Sequence, residues 1–115
     1  MPLAGKFTNY KSAAVDAAAG SATELVAAVA GKQIWVYGFH GQADAANGTF
    51  KLHDAAADKT GTMALIDSYG VTLPISPLEH APWFKCATAS ALSVTTVSAT
   101  IDGVVVYALV EPDTR

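Results

Sequence analysis

Charged side chains are scarce in this 115-residue sequence. They make up 15% of the chain, whereas an average soluble domain carries about 25%. Hydrophobic residues reach 51%. A small domain has a large surface for its volume, so a chain with few charges must cover part of that surface in another way. Small neutral residues cover some of it, and we expect contacts between subunits to cover more.

Basic residues are few, with seven Lys and Arg against ten Asp and Glu, which gives a formal net charge of −3. They are scattered and form no basic stripe. Nucleic acid is held through its phosphates by clustered Lys and Arg, so no nucleic-acid binding is predicted. No run of about 18 apolar residues occurs, so no membrane span is expected.

Cysteine occurs once, at Cys86, so the chain cannot form an intrachain disulfide. Cys86 follows Phe84 in an apolar run, which predicts a buried structural thiol. A reactive thiol needs a basic neighbourhood, and Lys85 is the one basic residue close to it in sequence. The sequence also shows no signal-peptide pattern, so we expect synthesis in a reducing cytoplasm.

Metal-binding motifs are missing. The three histidines, His40, His53 and His80, are far apart in the sequence. They form neither a His-x-His pair nor a helical His-x₃-His pair, and no C-x₂-C pair accompanies them. His53 continues the polar alternation of Thr49 and Lys51 and is expected to face water. No metal site is predicted.

Catalytic motifs are missing as well. No serine lies in a G-x-S-x-G setting, and no phosphate loop of the form G-x-x-x-x-G-K-[ST] occurs. Carboxylates that could form a hydrolytic pair lie in or beside turns, where aspartate bonds to the local backbone. They are Asp44, Asp54, Asp58 and Asp67. We therefore predict neither catalytic residues nor a cofactor.

The sequence does contain many short apolar runs separated by turn residues. The candidate strands are residues 6–9, 12–16, 24–29, 33–40, 48–54, 63–66, 71–73, 84–87, 92–101 and 104–110. Strands of this length and spacing are typical of an all-β sandwich or barrel. Asp102-Gly103 lies between two apolar runs and predicts a tight hairpin. The three prolines of residues 74–82 predict a segment that crosses between sheets.

Helix competes with strand in two places. Residues 12–30 are rich in alanine, the best helix former, but Gly20-Ser21 interrupts them and three valines favour strand. Residues 54–59 could hold one helical turn. We interpret both regions as mostly strand and loop.

The strand at residues 33–40 is apolar on both faces, with Ile34 and Val36 on one side and aromatic residues on the other. The strand at residues 104–110 shows the same pattern. The aromatic face could line the core, stack on a sugar or meet another subunit, where Trp and Tyr are enriched. We interpret it as a subunit contact. The candidate contact residues are Trp35, Tyr37, Phe39, Tyr107 and Leu109, with His80 and Trp83 as candidate loop contacts.

Taken together, residues 22–110 resemble small jelly-roll proteins of tailed bacteriophages. The similar features are residues 25–31 leading into 32–38, Leu73-Pro74 with Ser76-Pro77, Trp83-Phe84 and the final Gly-Val-Val-Val-Tyr run. The resemblance implies a capsid decoration (cement) protein or a head-fibre component. It also implies a trimer on the outside of the head shell, with no catalysis and no required cofactor.

The sequence thus predicts an all-β, jelly-roll-like antiparallel β-sandwich of about eight strands, formed by residues 23–115. Residues 1–22 are predicted to form an N-terminal arm or a first strand. The expected function is that of a homotrimeric structural virion protein that binds the major capsid protein on the outer capsid surface. The alternative is a receptor- or glycan-binding module of a head fibre or tail.

Overall fold

The computed structural model describes residues 10–18, 20, 22–44, 48–55, 57–64, 70–76 and 81–111. Within these ranges the chain forms nine strands. They are β1 (Lys11–Ala17), β2 (Ala22–Val26), β3 (Gln33–Ala43), β4 (Thr49–His53), β5 (Met63–Ala64), β6 (Gly70–Leu73), β7 (Phe84–Lys85), β8 (Leu92–Val97) and β9 (Ile101–Val110). No described residue belongs to a helix that is long and apolar enough to cross a membrane.

The strands form two antiparallel sheets. The larger has the order β1-β9-β3-β6, with the short β7 also paired to β3, and the smaller has the order β2-β8-β4-β5. The first half of the chain pairs in reverse order with the second half, β1 with β9, β2 with β8, β3 with β6 and β4 with β5. Successive pairs lie in alternate sheets, which is the connectivity of a jelly roll. The predicted all-β, jelly-roll-like sandwich is confirmed.

The two regions in which helix competed with strand contain no helix among their described residues. Residues 12–30 supply most of β1 and all of β2. Near residues 54–59, Asp58 forms an isolated bridge to His53, and the Lys59 N–H donates to the Leu52 carbonyl oxygen at 2.8 Å. This region is therefore the extended turn that joins β4 to β5.

Residues 1–22, for which the sequence left an arm and a first strand open, contain β1. This strand pairs with β9 in an unbroken register from Lys11 opposite Tyr107 to Ala17 opposite Ile101. It is therefore a full member of the larger sheet. Residues 1–9 lie outside the described residues.

The hydrophobic core lies between the two sheets. Ile34 and Val36 of β3 and Ile101 and Val105 of β9 enter it from the larger sheet. The smaller sheet contributes Phe50, Leu52, Leu92 and Val94. Burial of each large apolar side chain stabilises the fold by about 1.5–3 kcal/mol, so this layer accounts for the cohesion of the sandwich.

A β-bulge in β3 changes which side chains reach that core. Val36 lies opposite Tyr107, but Gly38 lies opposite Val106, so Tyr37 is an extra residue on the bulged strand. Strict alternation would place Phe39 on the same face as Trp35. The extra residue reverses the alternation, and Phe39 faces the core. The predicted single face of Trp35, Tyr37 and Phe39 is therefore wrong.

The predicted hairpin at Asp102-Gly103 is also wrong, because both residues lie inside β9. The connection between β8 and β9 occurs earlier, where Ser98 has a φ of 64°, and these two strands belong to different sheets. Gly103 has another role. A Cβ atom at this position would collide with the carbonyl oxygen of His40 on β3. Glycine lets the two central strands approach each other.

The proline-containing segment does not cross between the sheets in its described parts. It follows the edge of β3, where the Ser76 N–H donates to the Tyr37 carbonyl oxygen at 2.9 Å and the Trp83 N–H donates to the Val36 carbonyl oxygen at 2.8 Å. Residues 77–80 lie outside the described residues. The segment therefore completes the edge of the larger sheet.

Candidate interaction surface

The smaller sheet has a polar side facing away from the core. Lys51 and His53 on β4 and Ser93 and Thr95 on β8 alternate with buried apolar residues. The Nε2 atom of His53 lies 2.8 Å from the Thr95 Oγ1 atom, at hydrogen-bond distance. This sheet has the apolar-in, polar-out pattern of a sheet with one solvated face.

The larger sheet is different. We use the term outer face for the side of this sheet that points away from the core. Val104, Val106 and Ala108 of β9 lie on it. Their side chains point away from the face on which Val105 and Ile101 of the same strand enter the core. Val104 is 39% exposed. The central strand of this sheet is therefore apolar on both sides, as its sequence pattern indicated.

Residues 74–76, here called the Ile75 ridge, stand on the outer face next to β3. Ile75 is 60% exposed, the most exposed of the large hydrophobic residues described. It lies over Gly38, because a Cβ atom on Gly38 would be 2.9 Å from the Ile75 Cγ1 atom and 3.3 Å from its Cα atom. The missing side chain at Gly38 makes room for the ridge.

A hollow lies on each side of the Ile75 ridge. The first has a volume of about 330 Å³ and is lined by Pro74, Ile75, Ser76, Ala81, Pro82 and Trp83. The second has a volume of about 210 Å³ and is lined by Phe39, His40, Thr72, Leu73, Pro74, Ile75, Val104 and Val106. The two hollows share Pro74 and Ile75, so they form one continuous, mainly apolar surface.

Trp83 forms one wall of the first hollow and is 49% exposed. Its indole Nε1–H donates to the Pro74 carbonyl oxygen at 2.7 Å, which fixes the ring and uses its only polar hydrogen. The sequence named Trp83 as a loop contact, and its exposure leaves the ring accessible. His80, the other predicted loop contact, lies outside the described residues.

Trp35 and Tyr37 also lie on the outer face, but neighbours cover them. The Lys85 Nζ atom lies 4.1 Å from the centroid of the Trp35 ring, a cation–π contact. Tyr37 is fully buried and packs against Tyr10, with the ring centroids 4.9 Å apart. Tyr10 itself is 42% exposed. Tyr10 is thus the aromatic residue that this part of the outer face presents.

The other three candidate contact residues point the opposite way. Phe39 is 2% exposed and stacks on Phe50 of the smaller sheet. Tyr107 and Leu109 are partly buried and pack against the core. They therefore lie on the core side of the larger sheet and not on its outer face, because the bulge reverses β3 and the core side of β9 is the side that carries Val105. Their place at a subunit contact stays a prediction.

On the outer face, the exposed apolar residues that sequence reasoning missed are Tyr10, Ile75 and Val104. The alternation of the Val104–Val106 run carried a signal for Val104, but both of its faces were equally apolar. Ile75 lies between prolines in a segment interpreted as a crossing loop. Tyr10 lay in the predicted arm. None of these local sequence patterns determines which face of a strand packs against the other sheet, so none of them predicts which apolar face stays exposed.

The outer face carries its charges at its edges. Among the described residues that line the two hollows, His40 is the one titratable residue, and its Nδ1 atom lies 2.8 Å from the Thr72 Oγ1 atom. At one end of the sheet, loss of solvation raises the pKa of Asp102, and a hydrogen bond with Asp16 and the charges of Asp16 and Asp44 raise it further. The Thr100 N–H lowers the pKa of Asp44 by hydrogen bonding to its carboxylate.

The remaining buried polar groups have structural partners. The Asp54 carboxylate accepts hydrogen bonds from the N–H groups of Ala57 and Ala87, both at 2.8 Å, and lies 3.5 Å from the Lys59 Nζ atom. Cys86 is buried, as predicted, and burial raises the pKa of its thiol to about 11. Among the described residues, no group of three or more His, Cys, Asp or Glu is placed to hold a metal ion.

Comparisons of the chain with protein-family models, with curated proteins and with solved structures give no match.

Proposed function

We propose that this protein is a capsid decoration protein, which binds the outer surface of a tailed-phage head as a homotrimer and stabilises the shell. The observation that supports the proposal most is the uncovered apolar outer face of the larger sheet, with Ile75, Trp83 and Val104 exposed on it. Contiguous exposed apolar patches mark interaction surfaces in soluble proteins. The sequence resemblance supports the phage setting.

The contrast between the two sheets supports self-association through one face. The smaller sheet presents Lys, His, Ser and Thr to solvent together with Val97, whereas the hollows on the outer face of the larger sheet are lined mainly by Val, Ile, Pro and Trp, with His40 and Thr72 at one side. Covering apolar surface stabilises an assembly by roughly 25 cal/mol per Å² before the costs of association. Identical copies related by a cyclic axis would cover this face while leaving the polar sheet in water.

The proposed mechanism is mechanical linkage. A protein that binds the assembled lattice but not free capsid subunits stabilises the lattice by mass action. In a trimer, three weak contacts act together, because the second and third contacts form at high effective concentration. Catalysis has no part in this role. Cys86 is buried with a raised pKa, and the Asp54 carboxylate is bound to backbone N–H groups.

The first test is the mass in solution, measured by light scattering on a sizing column, followed by binding to undecorated phage heads. The proposal predicts a mass of about 35 kDa, three times the 11.8 kDa chain. It also predicts saturable binding that raises the temperature at which the heads break open. A mass near 11.8 kDa together with no binding to heads would refute it.

The alternative, a receptor- or glycan-binding module, is favoured by one observation, the exposed ring of Trp83. A sugar ring can stack on an indole, but its hydroxyl groups also need polar partners. The first hollow offers mainly apolar groups, and its Ser76 Oγ–H already donates to the Ala81 carbonyl oxygen at 2.8 Å. A glycan array separates the two functions, because binding there without binding to heads supports the module.

A further inference from the structure

The geometry of the outer face points to a specific contact between copies of this chain. We propose that Ile75 of one copy inserts into the second hollow of the next copy, against Val104 and Val106. The occupant of that hollow is thus a second copy of the same protein. This inference rests on the proposed self-association and adds to it the residues that interlock.

The shape of the surface supports this contact. Ile75 is 60% exposed and lines both hollows, so the same small area carries both an exposed apolar side chain and a recess. The second hollow, at about 210 Å³, is several times the roughly 30 Å³ that one water molecule occupies in the liquid. It can therefore receive a branched four-carbon side chain. A surface with both parts is complementary to a shifted copy of itself.

The charges also favour a second copy as the occupant. Two copies of one chain bring identical charges together, so a charged face would repel itself. The chain has a formal net charge of −3, yet none of the described residues that line the two hollows is an Asp, Glu, Lys or Arg. The acidic cluster of Asp16, Asp44 and Asp102 lies at the end of the sheet. A charged partner would find no ion pair among these described lining residues.

The ridge is held in place before any partner arrives. The Ser76 N–H donates to the Tyr37 carbonyl oxygen at 2.9 Å, and the Trp83 indole N–H donates to the Pro74 carbonyl oxygen at 2.7 Å. These bonds fix the backbone on both sides of Ile75. A preordered projection loses little conformational entropy when it docks, so more of the gain from apolar burial remains as binding free energy.

The arrangement also fits a ring. Because Ile75 is also a wall of the second hollow, the proposed contact is head-to-tail only where the hollow of each copy receives the ridge of a different copy. A head-to-tail contact closes into a cyclic oligomer when the rotation between copies divides a full turn evenly. Each copy in a trimer then uses its own Ile75 once and its own second hollow once.

The decisive experiment compares Ile75→Asp with the matched control Val97→Asp in the full chain. Both residues are exposed, at 60% and 53%, but Val97 lies on the smaller sheet. We expect Ile75→Asp to lower the mass in light scattering to that of a single chain, with an unchanged circular dichroism spectrum. We expect Val97→Asp to keep the oligomer. Loss of the oligomer in both variants, or in neither, would overturn the proposed contact.

A cross-linking experiment tests the same pair directly. One preparation carries Ile75→Cys, a second carries Val104→Cys, and a third carries Val97→Cys as the control. Mixing the first two under mild oxidation should give a disulfide-linked dimer of chains, and mixing the first and third should give several-fold less. The native Cys86 is buried and does not compete. Equal yields in the two mixtures would contradict insertion of Ile75 beside Val104.

These results separate the contact from the function. If the unchanged protein forms an oligomer that Ile75→Asp leaves intact, the contact is wrong and the proposed function stands. If the unchanged protein is a single chain both in solution and on phage heads, the contact is wrong, and binding to the heads decides the function alone.

Discussion

Gly103 of β9 lies directly opposite Gly41 of β3, and these are the two central strands of the larger sheet. A Cβ atom on Gly103 would collide with the carbonyl oxygen of His40 and lie 2.8 Å from the Gly41 Cα atom. The two strands on which the outer face is built can approach each other here because Gly103 has no side chain.

We expect Gly103→Ala to destabilise the protein by about 3 kcal/mol or more, since backbone atoms must move to accommodate the new methyl group. Gly61→Ala is the matched control. An added Cβ at Gly61 meets nothing within 4 Å, so we expect a change within about 1 kcal/mol. Urea unfolding followed by circular dichroism measures both. Equal stability of the two variants would contradict the close approach of β3 and β9.

The position of Phe39 in the core gives a second prediction. Its ring stacks on that of Phe50, with the centroids 5.9 Å apart. We expect Phe39→Ala to cost about 3–5 kcal/mol of stability, the usual loss when a buried phenylalanine is truncated. Trp83→Ala removes an exposed ring and should cost about 1 kcal/mol or less of that same stability. If the exposed Trp83 proved the costlier of the two, the reversal of β3 at its bulge would be wrong.

Asp54 gives a third prediction. Its carboxylate bonds to Ala57 in the turn after β4 and to Ala87 in the connection after β7. Asp54→Ala leaves both N–H groups without this acceptor, and each hydrogen bond to a charged group contributes about 1.5–3 kcal/mol. Asp58→Ala is the control, because the Asp58–Lys51 ion pair at 3.3 Å is solvent-exposed and such pairs contribute about 0–1 kcal/mol. Comparable losses in thermal unfolding would contradict the structural role of Asp54.

The acidic end of the outer face gives a fourth prediction, on pH. The folded-state pKa of Asp102 is raised, so its contribution to stability is fully present below the unfolded-state pKa and is lost as the pH rises through the folded-state pKa. Asp44 has a lowered pKa, so its contribution is present above the unfolded-state pKa and is lost as the pH falls through the folded-state pKa.

The Asn variants of Asp102 and Asp44 are expected to shift the midpoint of thermal unfolding at pH 7 in opposite directions. We expect Asp102→Asn to raise the midpoint of thermal unfolding at pH 7, because the mutation removes a carboxylate that is unfavourably ionised beside Asp16. We expect Asp44→Asn to change the unfolding midpoint less at acidic pH than at pH 7, because the wild-type carboxylate also loses its charge there. Thermal scans between pH 3 and pH 8 provide the comparison. A destabilised Asp102→Asn at pH 7 would contradict the first expectation.

The sequence was a reliable guide to the fold class, because alternation and turn residues recur along the whole chain. It also located the second apolar face in general terms, through the Val104–Val106 run. It misassigned Phe39 because a bulge has no distinctive residue pattern beyond Gly38, and one extra residue reverses every later side chain. It mistook Gly103 for a turn glycine, because the need for close approach depends on a strand distant in sequence. Likewise, Ile75 can lie over β3 only because Gly38, which is distant from it in sequence, has no side chain.

The pairing of β1 with β9 has a consequence for the nascent chain. Ribosomes make β1, β2 and β3 first, but β6, β8 and β9, with which these strands pair, are made last. The early strands emerge with their backbone donors and acceptors open to solvent and to other chains. Topologies dominated by such distant pairings fold slowly, on the order of milliseconds to seconds. The jelly roll therefore closes mainly after translation has passed β9, and a chain truncated before β9 leaves β1 without a partner strand.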